Sequence, residues 1–253
     1  MSIDLEVSEH IAVVRLDKQP VNALDRATRR RLIEIFDEVS ERADVRVAIL
    51  TGTGKFFCAG ADLKDRPDAG KAGDFLDHNR WTRETGNAIR ECAKPVIAAV
   101  NGPALGAGFG LMASCDIFLA SEDATFAMPE INVGLAGGVS MLRTMVGRSF
   151  TRRMFFTGMK VSAAELYRRG VLDEVVPAEQ LMPLAMEIAQ EIASKAPLAI
   201  AYAKQAANMM DLMPQRDGYR FEQNFTMALA RTEDAQEARK AFLEKRTPVY
   251  KGR

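Results

Sequence analysis

VIAAVNGPALGAGFGLMASCDIFLASEDATFAMPE, residues Val96 to Glu130, is the stretch on which the fold turns. Val96 to Val100 is apolar and rich in β-branched side chains, the pattern of a strand buried on both faces. Gly102, Gly106, Gly108 and Gly110 then punctuate the chain ahead of Leu111-Met112-Ala113, so a glycine turn leads into a helix. Closely spaced glycines at such a point mean that something approaches the backbone, or that the backbone takes positive φ. The first N–H groups of a helix also have no partner within it and suit an oxygen that is, or is becoming, negative. Such a turn has three readings: helix-to-sheet packing, a dinucleotide fingerprint and an oxyanion hole. The fingerprint needs glycine where Leu111 stands, and its strand is the first of a domain, whereas this one lies mid-chain. An oxyanion hole needs a second N–H from elsewhere. The upstream segment FCAGADLK, Phe57 to Lys64, offers one, with a short strand, a glycine turn and Asp62 placed to cap a succeeding helix.

Outward from these turns, Ile3–Val7 and Ile11–Leu16 predict a hairpin around Ser8-Glu9-His10. Asp25 predicts an N-cap for a helix whose inner stripe is Leu32, Ile35, Phe36 and Val39, ending near Ala43. Val45–Leu50 reads as a buried strand, Gly52 to Lys55 as a tight turn, and Phe56-Phe57 as a short third strand. Lys64 to Glu91 is polar and holds a helix from Asp74 to Cys92, a surface segment able to shape a pocket. Asp116–Ala120, Thr125–Ala127 and Val171–Val176 read as strands. Ser140–Val146, Thr151–Thr157 and a capped helix from Ser162 fill the interval. From Pro177 onward the pattern is helix only: Glu179–Lys195, Pro197–Met210, Arg216–Ala230 and Glu233–Lys245. The expected organisation is an α/β core over residues 1–195 and a helical region over 196–253.

Composition excludes several function classes. The 253 residues carry 34 Lys+Arg and 34 Asp+Glu, a formal net charge of zero, which gives no electrostatic case for binding nucleic acid or an acidic membrane, where a basic face is expected. No apolar run is long enough to span a bilayer, and the acidic first ten residues do not resemble a signal peptide, which points to the cytoplasm. Cys58, Cys92 and Cys115 lie far apart and, with only His10 and His78 as histidines, predict neither a disulfide framework nor a metal site. Both histidines read as solvated.

FCAGADLK, KPVIAAVNGPALGAGFGL, CDIFLASEDATFAMPEINVGL, GMKVSAAELYRRGVLDEVVP and AFLEKRTPVYKG together, in this order and over essentially the whole chain, resemble the crotonase superfamily, the enoyl-CoA hydratase/isomerase family. The resemblance implies an α/β, crotonase-like spiral of ββα units with a C-terminal helical trimerisation region, acting as a homotrimer or a dimer of trimers. It implies an acyl-CoA thioester substrate, with no cofactor beyond the CoA that substrate carries, and an enolate held by two backbone N–H groups. Carried over by position, those donors are Ala61 and Ala107, framed by Gly106 and Gly108. One catalytic glutamate falls on Glu130, in an apolar Met128-Pro129-Glu130-Ile131 setting that favours a raised pKa. The other falls on Gly110 and is absent, and Asp116, the next acid along the chain, reads as structural. The loop Gly134 to Gly138 is also shorter than in the family. For CoA, the terminal lysine given by a neighbouring subunit falls on Lys245, with Lys64 and the loop Lys18 to Asn22 as further candidates. A single retained glutamate favours double-bond isomerisation. Hydration with an acid from the Asp65 to Asp77 region, and a binding or scaffold protein without turnover, are the alternatives.

Overall fold

The structure, a computed structural model, describes residues 2–253. Strands β1 (Ile3–Ser8) and β2 (Ile11–Leu16) form the expected hairpin, with Glu9 and His10 both at positive φ in a two-residue turn. β3 (Val47–Gly52), β4 (Val96–Val100), β5 (Ala104–Leu105), β6 (Ile117–Ser121), β7 (Thr125–Ala127), β8 (Val161–Ser162) and β9 (Glu174–Val176) complete the strands among the described residues. Six of them make one sheet in the order β1-β2-β3-β4-β6-β9, parallel from β2 onward, and β5, β7 and β8 make a small second sheet.

The main sheet is buried on both faces because its strands alternate between two apolar layers. Ala48 and Leu50 of β3, with Ala98 and Val100 of β4, face the larger core. That core is closed by α1 (Arg26–Glu41) through the predicted stripe Leu32, Ile35, Phe36 and Val39, and by α2 (Asp74–Glu91) through Ile89. Asp25 caps α1 by accepting from the Thr28 N–H at 2.7 Å. α3 (Ala107–Ala113) comes directly after the glycine turn, and α4 (Val139–Met145), α5 (Arg148–Thr157) and α6 (Ala163–Arg168) pack around the small sheet's end of the core. On the other face Val47, Ile49, Ile97, Ala99 and Leu119 meet α7 (Ala178–Ala193). Its contacts Leu181, Ala185, Ala189 and Ala193 recur every fourth residue, and the alanines let the helix lie close to the sheet.

Two expected strands are not formed as read. Phe56-Phe57 is irregular, because the buried Asn22 side chain donates to the carbonyls of Thr53 at 3.0 Å and Phe56 at 2.8 Å, taking the place of a neighbouring strand. Only Cys58 pairs, in an isolated bridge with Ala104. Of Val171–Val176, only Glu174–Val176 is strand: Gly170 takes φ 69 after α6 and the Val171 N–H returns to the Leu166 carbonyl at 3.0 Å, so the chain reaches β6 only at Asp173, whose N–H donates to the Phe118 carbonyl at 2.9 Å.

The helix-only region comprises α8 (Pro197–Met210), α9 (Gln215–Leu229) and α10 (Glu233–Glu244). α8 and α9 join through a Tyr202–Phe225 stack and an edge-on Phe221. One buried cation fastens α8 to the core. Lys204 Nζ lies 2.9 Å from Asp116 Oδ2, and donates to the carbonyls of Lys94 at 2.9 Å and Ile89 at 3.2 Å. Asp116 also accepts from the Val96 N–H at 2.6 Å, so the acid is structural, as expected, and the pair fixes the start of β4. Removing one member of a buried pair strands the other, a loss tempered here because Asp116 keeps about a quarter of its side-chain surface. Lys204→Met is expected to cost about 2–4 kcal/mol in urea unfolding; an unchanged midpoint would contradict this role.

Candidate active site

The two glycine turns lie side by side. Cys58 donates its N–H to the Pro103 carbonyl at 3.1 Å and accepts from the Leu105 N–H at 2.9 Å, which lays residues 58–61 parallel to 104–107. The approach is too close for side chains. A Cβ on Gly108 would collide with the Cys58 carbonyl, and one on Gly60, which sits at φ 99, would come within 2.7 Å of the Leu105 carbonyl and 3.5 Å of the Ala107 nitrogen. Packing is therefore the correct reading of Gly108, and that packing is also what brings the two turns together. Three of the neighbouring backbone donors are spent, Leu24 N–H on the Gly60 carbonyl, Asp62 N–H on that of Leu24 and Gly106 N–H on that of Ala127, while those of Leu63, Gly108 and Phe109 are not. The N–H groups of Ala61 and Ala107 have no acceptor among the described residues.

Both alanines line a cavity of about 540 Å³, together with Gly106, Gly110 and Glu130. Its far wall is a polar face of α2, including His78, Thr82 and Thr85, and its rim includes the short loop Leu135 to Gly138. Gly108, Lys64 and Lys245 are not part of the lining. Lys64 is exposed near the turn, and Lys245, at φ 53, ends α10 with its side chain in solvent. Lys18 is held between Asp25 at 2.6 Å and Asp62 at 3.0 Å. His78 is half-buried in the cavity wall, not solvated, and its Nδ1 is buried without a partner. Burial, then the neighbouring Arg29 and Arg26, hold its imidazole below the usual histidine pKa. The signal was its register: 78, 82, 85 and 89 fall on one face of the helix, the face that ends in buried Ile89.

Glu130 stands in the first turn of a short 3-10 helix, Pro129–Val133. Burial pushes its carboxyl above the usual glutamate range, its Oε2 is buried without a partner, and only its own N–H opposes the shift. The carboxylate lies hard against Gly106, where a Cβ would meet Oε1 at 2.5 Å, and Gly106 takes φ 53. This glycine is required twice, by conformation and by proximity. The other carboxylates of the cavity are engaged, Asp62 with Lys18 and Asp65 with Arg26 at 3.4 Å. At Gly110 the room for a side chain is taken by Met141, whose sulfur would lie 2.8 Å from a Cβ.

Residues 6–253 match the family model described as enoyl-CoA hydratase/isomerase. The chain belongs to that family. It is 38% identical over 235 residues to the (7aS)-7a-methyl-1,5-dioxo-2,3,5,6,7,7a-hexahydro-1H-indene-carboxyl-CoA hydrolase of Mycobacterium tuberculosis, covering 93% of this chain and 95% of the relative. It is also 38% identical over 260 residues to carnitinyl-CoA dehydratase of Salmonella enteritidis, covering 100% and 99%. The solved structure of enoyl-CoA hydratase from Bacillus anthracis superposes with a TM-score of 0.93 at 35% identity over 100% of both chains. The expected crotonase-like α/β fold is thereby shown. So is membership of a family of acyl-CoA enzymes.

Proposed function

We propose that the cavity receives an acyl-CoA thioester, that the Ala61 and Ala107 N–H groups hold its carbonyl oxygen as charge develops there, and that Glu130 alone moves the proton. The observation that carries this is the electrostatic state of Glu130. Among the described residues it is the one cavity carboxylate with no cation partner, and it shares that cavity with two uncommitted N–H donors. Loss of the C2 proton to Glu130 leaves an enolate, and each donor aimed at its oxygen is worth about 3–4 kcal/mol in comparable sites. Return of the same proton at C4 moves the double bond from the 3,4 to the 2,3 position. That sequence needs one base and no cofactor beyond the substrate's own CoA, and it suits a site with glycine and methionine where a second acid would stand. Hydration or dehydration is the second reading. It is favoured by the names of the relatives, and requires Asp65 or Asp62 to leave its cation. The exposed apolar residues Leu212, Met227, Phe242 and Leu243 support assembly into trimers, which would let Lys245 reach a neighbour's CoA phosphates, with Lys64 at the mouth.

Glu130→Gln is expected to lower kcat by about 10²- to 10⁴-fold with CoA affinity nearly unchanged. In the wild type, where the base must be deprotonated, activity is expected to fall with decreasing pH at a value above the usual glutamate range. Assays of 2-enoyl-, 3-enoyl- and 3-hydroxyacyl-CoA thioesters decide the reaction. Full activity of Glu130→Gln would overturn the assignment of the base, and rapid hydration of crotonyl-CoA with 3-hexenoyl-CoA untouched would overturn the isomerase preference. Light scattering is expected to give a trimer or hexamer; a monomer mass at micromolar concentration would contradict the assembly.

A further inference from the structure

The inner face of α1 is formed by Thr28, Arg29, Leu32, Ile35, Phe36 and Val39, and one of these does not belong in a hydrophobic layer. Arg29 is only 3% exposed, yet its guanidinium makes no hydrogen bond and no ion pair among the described residues. The carboxylates close enough to act on its charge are Asp65 and Asp25, and both are engaged elsewhere. Asp25 caps α1 and shares Lys18 with Asp62, while Asp65 shares Arg26 with Asp74, which holds that guanidinium through two bonds of 2.8 Å. The nearby Cys58 thiol is pushed up to about 12 by burial, so it offers no negative charge. Burial lowers the pKa of Arg29 as well, but an arginine keeps its proton at neutral pH. An unpaired buried cation is costly, and a protein that holds one gains nothing in stability from it.

Arg29 lines the same cavity as Glu130, Ala61 and Ala107, beside His78. That wall therefore presents a guanidinium that no described residue meets in a hydrogen bond or ion pair, with Asp65 and Asp25 acting on it only from a distance. Only the acyl part of a thioester goes inward from the two N–H donors, because the CoA part, with its phosphates, needs the open rim. We propose that Arg29 receives a free carboxylate on the acyl group, so that the substrates are CoA monothioesters of dicarboxylic acids. The inference rests on the acyl-CoA reading of the cavity and adds the substrate class. A guanidinium and a carboxylate match in a planar, two-bond pairing, stronger than a hydrogen bond between neutral groups and far stronger when water is excluded.

Binding of saturated thioesters tests this without any turnover. Succinyl-, glutaryl- and adipyl-CoA are titrated calorimetrically against butyryl-, valeryl- and hexanoyl-CoA, which replace the carboxylate by a methyl group. For at least one chain length the carboxylated thioester is expected to bind about 10- to 100-fold more tightly. Arg29→Leu is expected to lose that advantage, to bind the uncharged partner more tightly, and to melt at a higher temperature without ligand. Uncharged thioesters binding as well as or better than carboxylated ones at every length in the wild type would overturn the proposal, even if Arg29→Leu failed to fold. Binding of neither series would instead overturn the acyl-CoA reading itself. An Arg29→Leu protein that kept the carboxylate preference would overturn the assignment to Arg29, because another group would then be recognising the anion.

Discussion

The structure depends on one close contact, the parallel pairing of Cys58 with Ala104 that lets two glycine turns share a wall. Everything chemical in the site is displaced from that line by a few residues. Ala61 lies three positions beyond Cys58 and Ala107 three beyond Ala104, so a pairing with no catalytic role sets the separation of two N–H groups. Gly60 and Gly108 permit the approach, and Gly106 permits a second one, between the turn and the Glu130 carboxylate. Because these contacts are backbone to backbone, the fold itself sets where the two N–H groups stand, which is what the proposed stabilisation of a developing charge requires.

The cavity treats its charges unequally, and that inequality separates roles. Asp62 and Asp65 are held by cations, as structural acids are, and they share those cations with Asp25 and Asp74. The part-buried Glu130 has no cation partner and an unbonded Oε2, and the buried Arg29 has no ion pair. Unpaired buried charges are maintained against folding stability and are for that reason concentrated where function needs them. A carboxyl raised by burial and an unpaired guanidinium line one chamber, and the proposed reading sets them at different ends of the same acyl group.

Most of the architecture was legible because local rules and global packing agree. The Asp25 cap, the α1 stripe, the strands and the Gly106 turn into α3 each read correctly from residue type and spacing, whereas Asp62, read as the cap of a helix, instead accepts from the Lys64 N–H at 3.0 Å within a turn, and the next helix begins only at Asp74. Phe56-Phe57 failed because its partner is a side chain, Asn22, more than thirty residues away, a contact that no periodicity reveals. Val171 failed because the glycine before it closes a helix rather than opening a strand. In the site, the turns and Glu130 were visible as motifs, while His78 and Arg29 were not. Their signal lay in register: a polar residue on the inner face of an amphipathic helix is either an error of folding or part of a pocket, and Arg29 stands three positions before Leu32 on such a face. Which carboxylates are already paired had no such signal, since it depends on contacts between Lys18, Arg26 and residues about forty to fifty positions away.

The central claim is that two backbone donors and one carboxylate suffice to form an enolate of a bound thioester. The most direct measurement is hydrogen–deuterium exchange at C2 of saturated acyl-CoA thioesters in D2O, monitored by mass spectrometry, because exchange requires the enolate but neither a double bond nor a second acid. Enzyme-dependent exchange in the wild type, abolished by Glu130→Gln while the thioester still binds, is the expected result. A thioester that binds in the cavity and shows no exchange above the solvent rate, or exchange that survives Glu130→Gln, would contradict it.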